Sequence, residues 1–370
     1  MRHFWEKAGH LLPVFMGVSP ILTCLAGGGW VWAPFLFFFL CVPWLDHFLG
    51  ERRRAFSPPE EEERRKDISW RLALWAFLPA QWATLVFSHA VLAWEGLPLW
   101  MAVGFALSSA IAIAVGANVA HELGHHPSRV DRLFAIAMLT PVFMGDFYLY
   151  HNFGHHVLVA TPQDPGSARL GESFWAFWRR SVIGKTLLAA RLEEDRLLAR
   201  GKRVLSFQNR FLLFHGASFL LLLAFTAIFG WIAVLLFSLQ WLMTRTMLAG
   251  ADYVEHYGMA RKTLADGQAE PFSISHAWNS DHALSNFFLA NVNRHSQHHE
   301  NEGRPYQILE TPQEAPRLPS GYMAMIALAF VPPLFFRVMH PKLQALYDAG
   351  LCVPNKGWLE GGDALASSAP

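Results

Sequence analysis

Residues 96–125 read GLPLWMAVGFALSSAIAIAVGANVAHELGH, with no Asp, Glu, Lys or Arg before Glu122. A bilayer crossing needs roughly 20 apolar residues, so Gly96 to Ala120 reads as a transmembrane helix that delivers His121 and His125 to one membrane surface. The same lack of charge marks Ala8 to Leu45, Leu72 to Trp94 and Phe211 to Thr244. The first of these runs divides near Gly27-Gly28-Gly29 and the last near Gly230, each into a hairpin of two helices. The fold class expected is all-α: a polytopic membrane protein with six transmembrane helices at about 11–28, 30–48, 70–93, 97–120, 211–230 and 231–250. Composition agrees, because 53% hydrophobic residues against 16% charged ones is too apolar for an ordinary soluble enzyme.

Charge sets the expected orientation. The connection Glu51 to Asp67 carries Arg52, Arg53, Arg54, Arg64, Arg65 and Lys66, and positive loops mark the cytoplasmic side. Parity then places the amino terminus and the segments 121–210 and 251–350 on that face. The apolar stretch Leu133 to Tyr150 holds Pro141 and Asp146, is short for a crossing, and reads as a re-entrant or surface helix. Residues 1–350 are expected to form one membrane-embedded domain and 351–370 a flexible tail.

Nine histidines then fall at one membrane surface in four clusters: His121 and His125; His151, His155 and His156; His256; and His295, His298 and His299. Residues four apart share a helical face, so His121 and His125 can meet one ion, and His151 and His155 repeat that spacing. His156 lies about 100° further round a helix and can face a second ion. His295, His298 and His299 offer spacings of three and four. Many imidazoles without thiolates suit iron, zinc, copper or nickel better than magnesium or calcium, which prefer oxygen. His256, alone in its cluster, reads by itself as a structural hydrogen-bonding group.

His121-Glu122-Leu-Gly-His125 also spells the zinc-protease pattern with Glu122 as general base, although such a site needs only about three protein ligands. Glu122, Asp164, Asp252, Glu255 and Asp281 are candidates to orient imidazole N–H groups from behind. His126, His276 and His282 lie near the clusters but off their pattern. His3, His10, His47, His89, His215 and His340 receive no role. Cys24, Cys41 and Cys352 form no Cys-x-x-Cys pair for an iron–sulfur or rubredoxin-type centre, so electrons must come from a separate donor. A histidine-rich metal transporter would need polar groups inside its spans, and these runs have almost none.

The order His-x3-His, His-x3-His-His, His-x2-His-His in a polytopic membrane protein resembles the membrane fatty-acid desaturases and non-haem di-iron hydroxylases. The run from His151 through Thr161-Pro-Gln-Asp-Pro-Gly to Glu172, Tyr253 to Gly258, and His276 through His299 to Tyr322 are similar to the integral-membrane alkane 1-monooxygenases. The aromatic-methyl hydroxylases of the xylene type match more loosely. The resemblance covers about Leu45 to Phe336. It implies all nine histidines as ligands, His256 included, of two non-haem iron ions, with O2 as co-substrate and a separate rubredoxin and rubredoxin reductase. It further implies hydroxylation of the terminal methyl of medium-chain alkanes at a bacterial inner membrane, and lipid but not nucleic acid as a partner. A desaturase is the nearest rival. The chain departs from the family's pattern at His126, Tyr150 and Phe153, which alters the surroundings of the metals without removing a ligand.

An alkane must be recognised by apolar burial, roughly 0.8 kcal/mol per methylene, and the bilayer is its natural route. Phe35, Phe37, Phe38, Phe39, Trp44, Trp75, Trp82 and Trp100 are candidates for the channel wall. The arginines of the loop 51–67, with Arg179, Arg180 and Lys185, could dock an acidic electron-transfer protein, but the simpler reading is that they fix topology and meet anionic headgroups.

Overall fold

A computed structural model describes residues 2–356, and its regular structure is almost entirely helical. Among the described residues, five helices are long and apolar enough to cross a membrane: Gly28–Leu49, Ser69–Trp94, Leu99–His125, Arg210–Phe229 and Trp231–His256. The chain is a multi-pass membrane protein. The first apolar helix, Leu12–Ala26, is shorter; at 1.5 Å per residue its 15 residues reach about 22 Å, against a hydrocarbon core of about 30 Å. Gly27 (φ 73°) and Gly230 (φ 69°) make the two hairpin reversals, in a backbone region that residues with a Cβ resist.

Leu99–His125 is the central element, with 61% of its most apolar stretch buried against 11% for the outward-facing Arg210–Phe229. One apolar core joins side chains from Met16 to Cys352 around it. Gly28–Leu49 is not uniform: it runs through a 3-10 turn, a short α-helix, a π-helical turn at Phe37–Cys41 and a final α-helical segment. The stretch expected as one re-entrant or surface helix is broken. Arg129–Leu139 ends in a 3-10 turn at Thr140–Val142, where Pro141 removes a donor, and Gly145–Tyr150 follows.

The histidine-bearing ends are tied together and to the arginine-rich loop. Glu51 bridges His282, the Arg52 N–H donates to the Asp281 carbonyl at 2.8 Å, and the Tyr306 N–H donates to Glu122 at 3.1 Å. The first residues of the segment expected as a tail are joined to the fold. Val353–Pro354 pairs antiparallel with Met259–Ala260, and Cys352 and Asn355 on either side are buried. The rest of the expected tail lies outside the described residues.

Candidate metal centre

The four clusters come from five places in the fold. His121 and His125 end the central helix, and His256 ends Trp231–His256. His151–His155 is a π-helical turn, with His156 opening the short helix after it, and His295–Glu300 carries the last three histidines. All nine side chains meet in the interior and divide into two groups. His121, His125, His151, His156 and His298 form one; His155, His256, His295 and His299 form the other. Within each group the ligand atoms lie within 4.8 Å of one another.

The division differs from the spacing argument at the second motif. A π-helix closes i to i+5, so His151 pairs with His156, their Nε2 atoms 2.9 Å apart, while His155 crosses to the other group. At the third motif His295 and His299 pair at 2.9 Å and His298 crosses the opposite way.

The nitrogens converge as coordination requires. The Nε2 atoms of His121, His125 and His151 form a triangle with sides of 2.7, 3.1 and 3.2 Å, and His256 and His295 approach to 3.0 Å. Each Nε2 offers one in-plane proton or lone pair, so three rings pointing at one spot do not make a chain of hydrogen bonds. Ligands about 2.1 Å from a common ion are about 3.0 Å apart at a right angle and about 3.4 Å apart at the tetrahedral angle. The observed edges are of this size, as for rings that share an ion. The Nε2 atoms of His155 and His298 are buried without a hydrogen-bond partner among the described residues, a cost that a bound cation removes. Burial first, then the neighbouring rings, pushes His151, His156, His295, His298 and His299 well below the usual imidazole range. These rings are therefore neutral, which is the metal-binding form. The residues present fit a non-haem iron centre.

The five carboxylates take distinct places. Asp164 alone backs a ring: it accepts from His155 Nδ1 at 2.9 Å, the Tyr150 hydroxyl at 2.6 Å, the Ser167 hydroxyl at 2.7 Å and the Gly166 N–H at 3.0 Å. Burial raises its pKa, but the His155 imidazole and these donors outweigh that and hold the carboxyl below the ordinary range. Glu255 instead approaches the coordinating side, 3.4 Å from His295 Nε2. Asp252 forms a buried ion pair with Lys185, and Asp281 holds Arg294 at 3.0 Å together with Arg317. Glu122 accepts from the Tyr306 N–H and from His126 at 3.3 Å, so the glutamate of the protease pattern is committed to joining elements. His276 meets Glu270 at 3.2 Å and His282 meets Ser280 at 2.9 Å.

An apolar cavity of about 730 Å3, its mouth included, ends on His121, His151 and His295. It touches both histidine groups. Its walls are mostly aliphatic and come from distant segments, Ile111 and Val115, Met247 and Leu248, Leu289 and Val292, Met323 and Ile326, with Phe38 and Phe147 among them. Of the aromatic residues expected to line a channel, only Phe38 does so. Phe35 and Phe39 pack on each other, and Phe37 lies against Phe288. Trp75 and Trp82 line a separate outer depression, their indole N–H groups bound to Asp131 and the Ala137 carbonyl. Trp44 and Trp100 are exposed. Two polar residues at the site lie outside the sequence expectation, Tyr150 and Asn118. Tyr150 stood out only as a departure, whereas Asn118 sits three residues before His121 on the same helical face, a spacing visible in the sequence.

The profile described as fatty acid desaturase matches residues 98–329. Alkane 1-monooxygenase 2 of Pseudomonas aeruginosa is 36% identical over 324 residues, covering 86% of this chain and 85% of the relative. An alkane 1-monooxygenase of Pseudomonas putida is 34% identical over 349 residues, covering 92% and 85%. The hydroxylase component of a xylene/toluene monooxygenase from Pseudomonas putida matches more distantly, at 26% over 230 residues, 61% of this chain and 60% of the relative. Identity above 30% along most of the chain, together with a polyhistidine centre under an apolar cavity, means that this protein belongs to the alkane 1-monooxygenase family of oxidoreductases.

Proposed function

We propose that this protein is a di-iron monooxygenase that converts the terminal methyl group of medium-chain alkanes to a primary alcohol. The observation that carries this reading is the aliphatic cavity ending on rings from both histidine groups. His121, His125, His151, His156 and His298 would hold one iron, and His155, His256, His295 and His299 the other. When bound, the irons would supply the reductive activation of O2 and the insertion of one oxygen atom into a C–H bond.

The chain's own residues do the rest. The cavity walls bind the alkane by burial, about 5 kcal/mol for six methylenes, and present one chain end to the histidines while excluding water. Positioning of this kind selects a terminal C–H bond when no polar handle exists. Asp164 holds the proton on His155 Nδ1 and so keeps Nε2 free to coordinate.

Electrons come from a separate rubredoxin and its reductase, consistent with three cysteines and no Cys-x-x-Cys pair. Residues 1–350 act as one domain of six crossings, Leu12–Ala26 being the first, in a bacterial inner membrane. The attachment of the arginine-rich loop to the histidine end supports a cytoplasmic site. Purified protein is expected to carry two irons per chain and to form 1-octanol from octane, O2, rubredoxin and reductase. One iron in fully active enzyme, or an alkene as product, overturns the reading.

A further inference from the structure

Three polar side chains interrupt the apolar cavity: Asp252, Glu255 and Asn118. Asp252 is neutralised by the buried Lys185, and Glu255 faces His295 at 3.4 Å. Asn118 has no such engagement. It is 8% exposed, and its amide nitrogen has no hydrogen-bond partner among the described residues. It lies on the stripe of the central helix that lines the cavity, after Ile111, Ala114 and Val115 and one turn before His121.

Packing does not explain an amide at this place, because leucine would fill similar space without an unpaired polar group, which costs about 1–3 kcal/mol. Nor does an alkane use it. A primary alcohol does: its hydroxyl both donates and accepts, as a neutral carboxamide does, and its chain occupies the same walls. Left unpaired beside those walls, a hydroxyl would itself be penalised.

We propose that Asn118 is the hydrogen-bonding site for the hydroxyl of a primary alkanol, seating the product with its oxygen at the histidine end of the cavity. This inference rests on the alkane-hydroxylase reading above. It makes alkanols of cavity length ligands in their own right, able to compete with alkane, and it gives the site an affinity for product that apolar burial alone would not supply.

The test is equilibrium binding to iron-loaded protein without O2 or reductant, by calorimetry with 1-octanol and with octane. In Asn118→Leu the ratio of alkanol to alkane affinity is expected to fall about threefold to tenfold, the range of one neutral hydrogen bond. An unchanged ratio overturns the proposal. Should Asn118→Leu fail to load iron, Asn118→Ala decides by the same ratio, since it removes the amide without adding bulk. Binding is read without turnover, so a wild-type chain that fails to hydroxylate octane refutes the functional reading and leaves this comparison intact.

Discussion

Single side chains decide whether the polyhistidine centre is a scaffold for metal or a collection of rings, and Asp164 is the clearest case. It takes a proton-bearing contact from His155 Nδ1 at 2.9 Å while Tyr150 and Ser167 saturate its remaining lone pairs. That fixes the tautomer whose Nε2 faces the other three rings of its group. Loss of such a backing carboxylate typically costs 10- to 100-fold in metal affinity. Asp164→Asn is therefore expected to lose iron to a chelator at correspondingly lower concentration, whereas Ser167→Ala changes it little; equal retention in Asp164→Asn contradicts the role. In the cavity wall, Phe38 is the residue supplied by the π-helical turn Phe37–Cys41. Phe38→Leu opens room for about one further methylene, worth about 0.8 kcal/mol, and should move the preferred alkane upward by about one carbon. Trp82→Ala should leave it unmoved, because Trp82 lines the outer depression. Measured product profiles against chain length separate the two.

At the scale of elements, the second and third motifs solve one problem in two ways. The third places His295 and His299 one α-helical turn apart and sends His298 across. The second has one more residue between its first two histidines, and its π-helical turn absorbs that residue, so His151 and His156 pair while His155 crosses. Each group thus holds the outer pair of one motif and the inner ring of the other. Sequence spacing showed that these elements could serve two ions, since adjacent histidines cannot face one point on a helix. It did not show the pairing, because a π turn is set by what packs on it. Here Gly154 lets the helix Phe174–Leu198 come close enough that a Cβ would meet Leu192 at 3.0 Å. If the exchange is right, His298→Ala and His121→Ala perturb the same Mössbauer doublet, and His155→Ala and His256→Ala perturb the other. Doublets that sort by motif instead, His298 with His295, would refute it.

For the whole molecule, the fold was legible because the solvent is a bilayer: runs without charge had to be helices, and Gly27 and Gly230 marked where they turn. The cavity was not legible, because Ile111, Leu248 and Ile326 are far apart in sequence and meet only when the bundle closes. Aromatic residues were the wrong signal; most of them pack outward or on each other. The arginine-rich loop divides its charges: Arg54 and Arg64 are spent on the buried Glu6, while Arg53 and Lys66 are exposed. What the loop does show is that it lies at the histidine end of the molecule, bonded there by Arg52 and Glu51. The turn at Glu95 joins Ser69–Trp94 to Leu99–His125 and so must lie at the opposite end. In a chain with its three cysteines replaced, Glu95→Cys should therefore react with an impermeant maleimide in intact spheroplasts, while Arg203→Cys and Asp266→Cys react only in inverted vesicles. If Arg203→Cys and Asp266→Cys label from opposite faces, the apolar helices cannot all cross as counted, since an odd number would then separate two segments that the fold holds at the same end. If both label from outside, the count stands but the site faces away from the cytoplasm, and a cytoplasmic rubredoxin could not reach it.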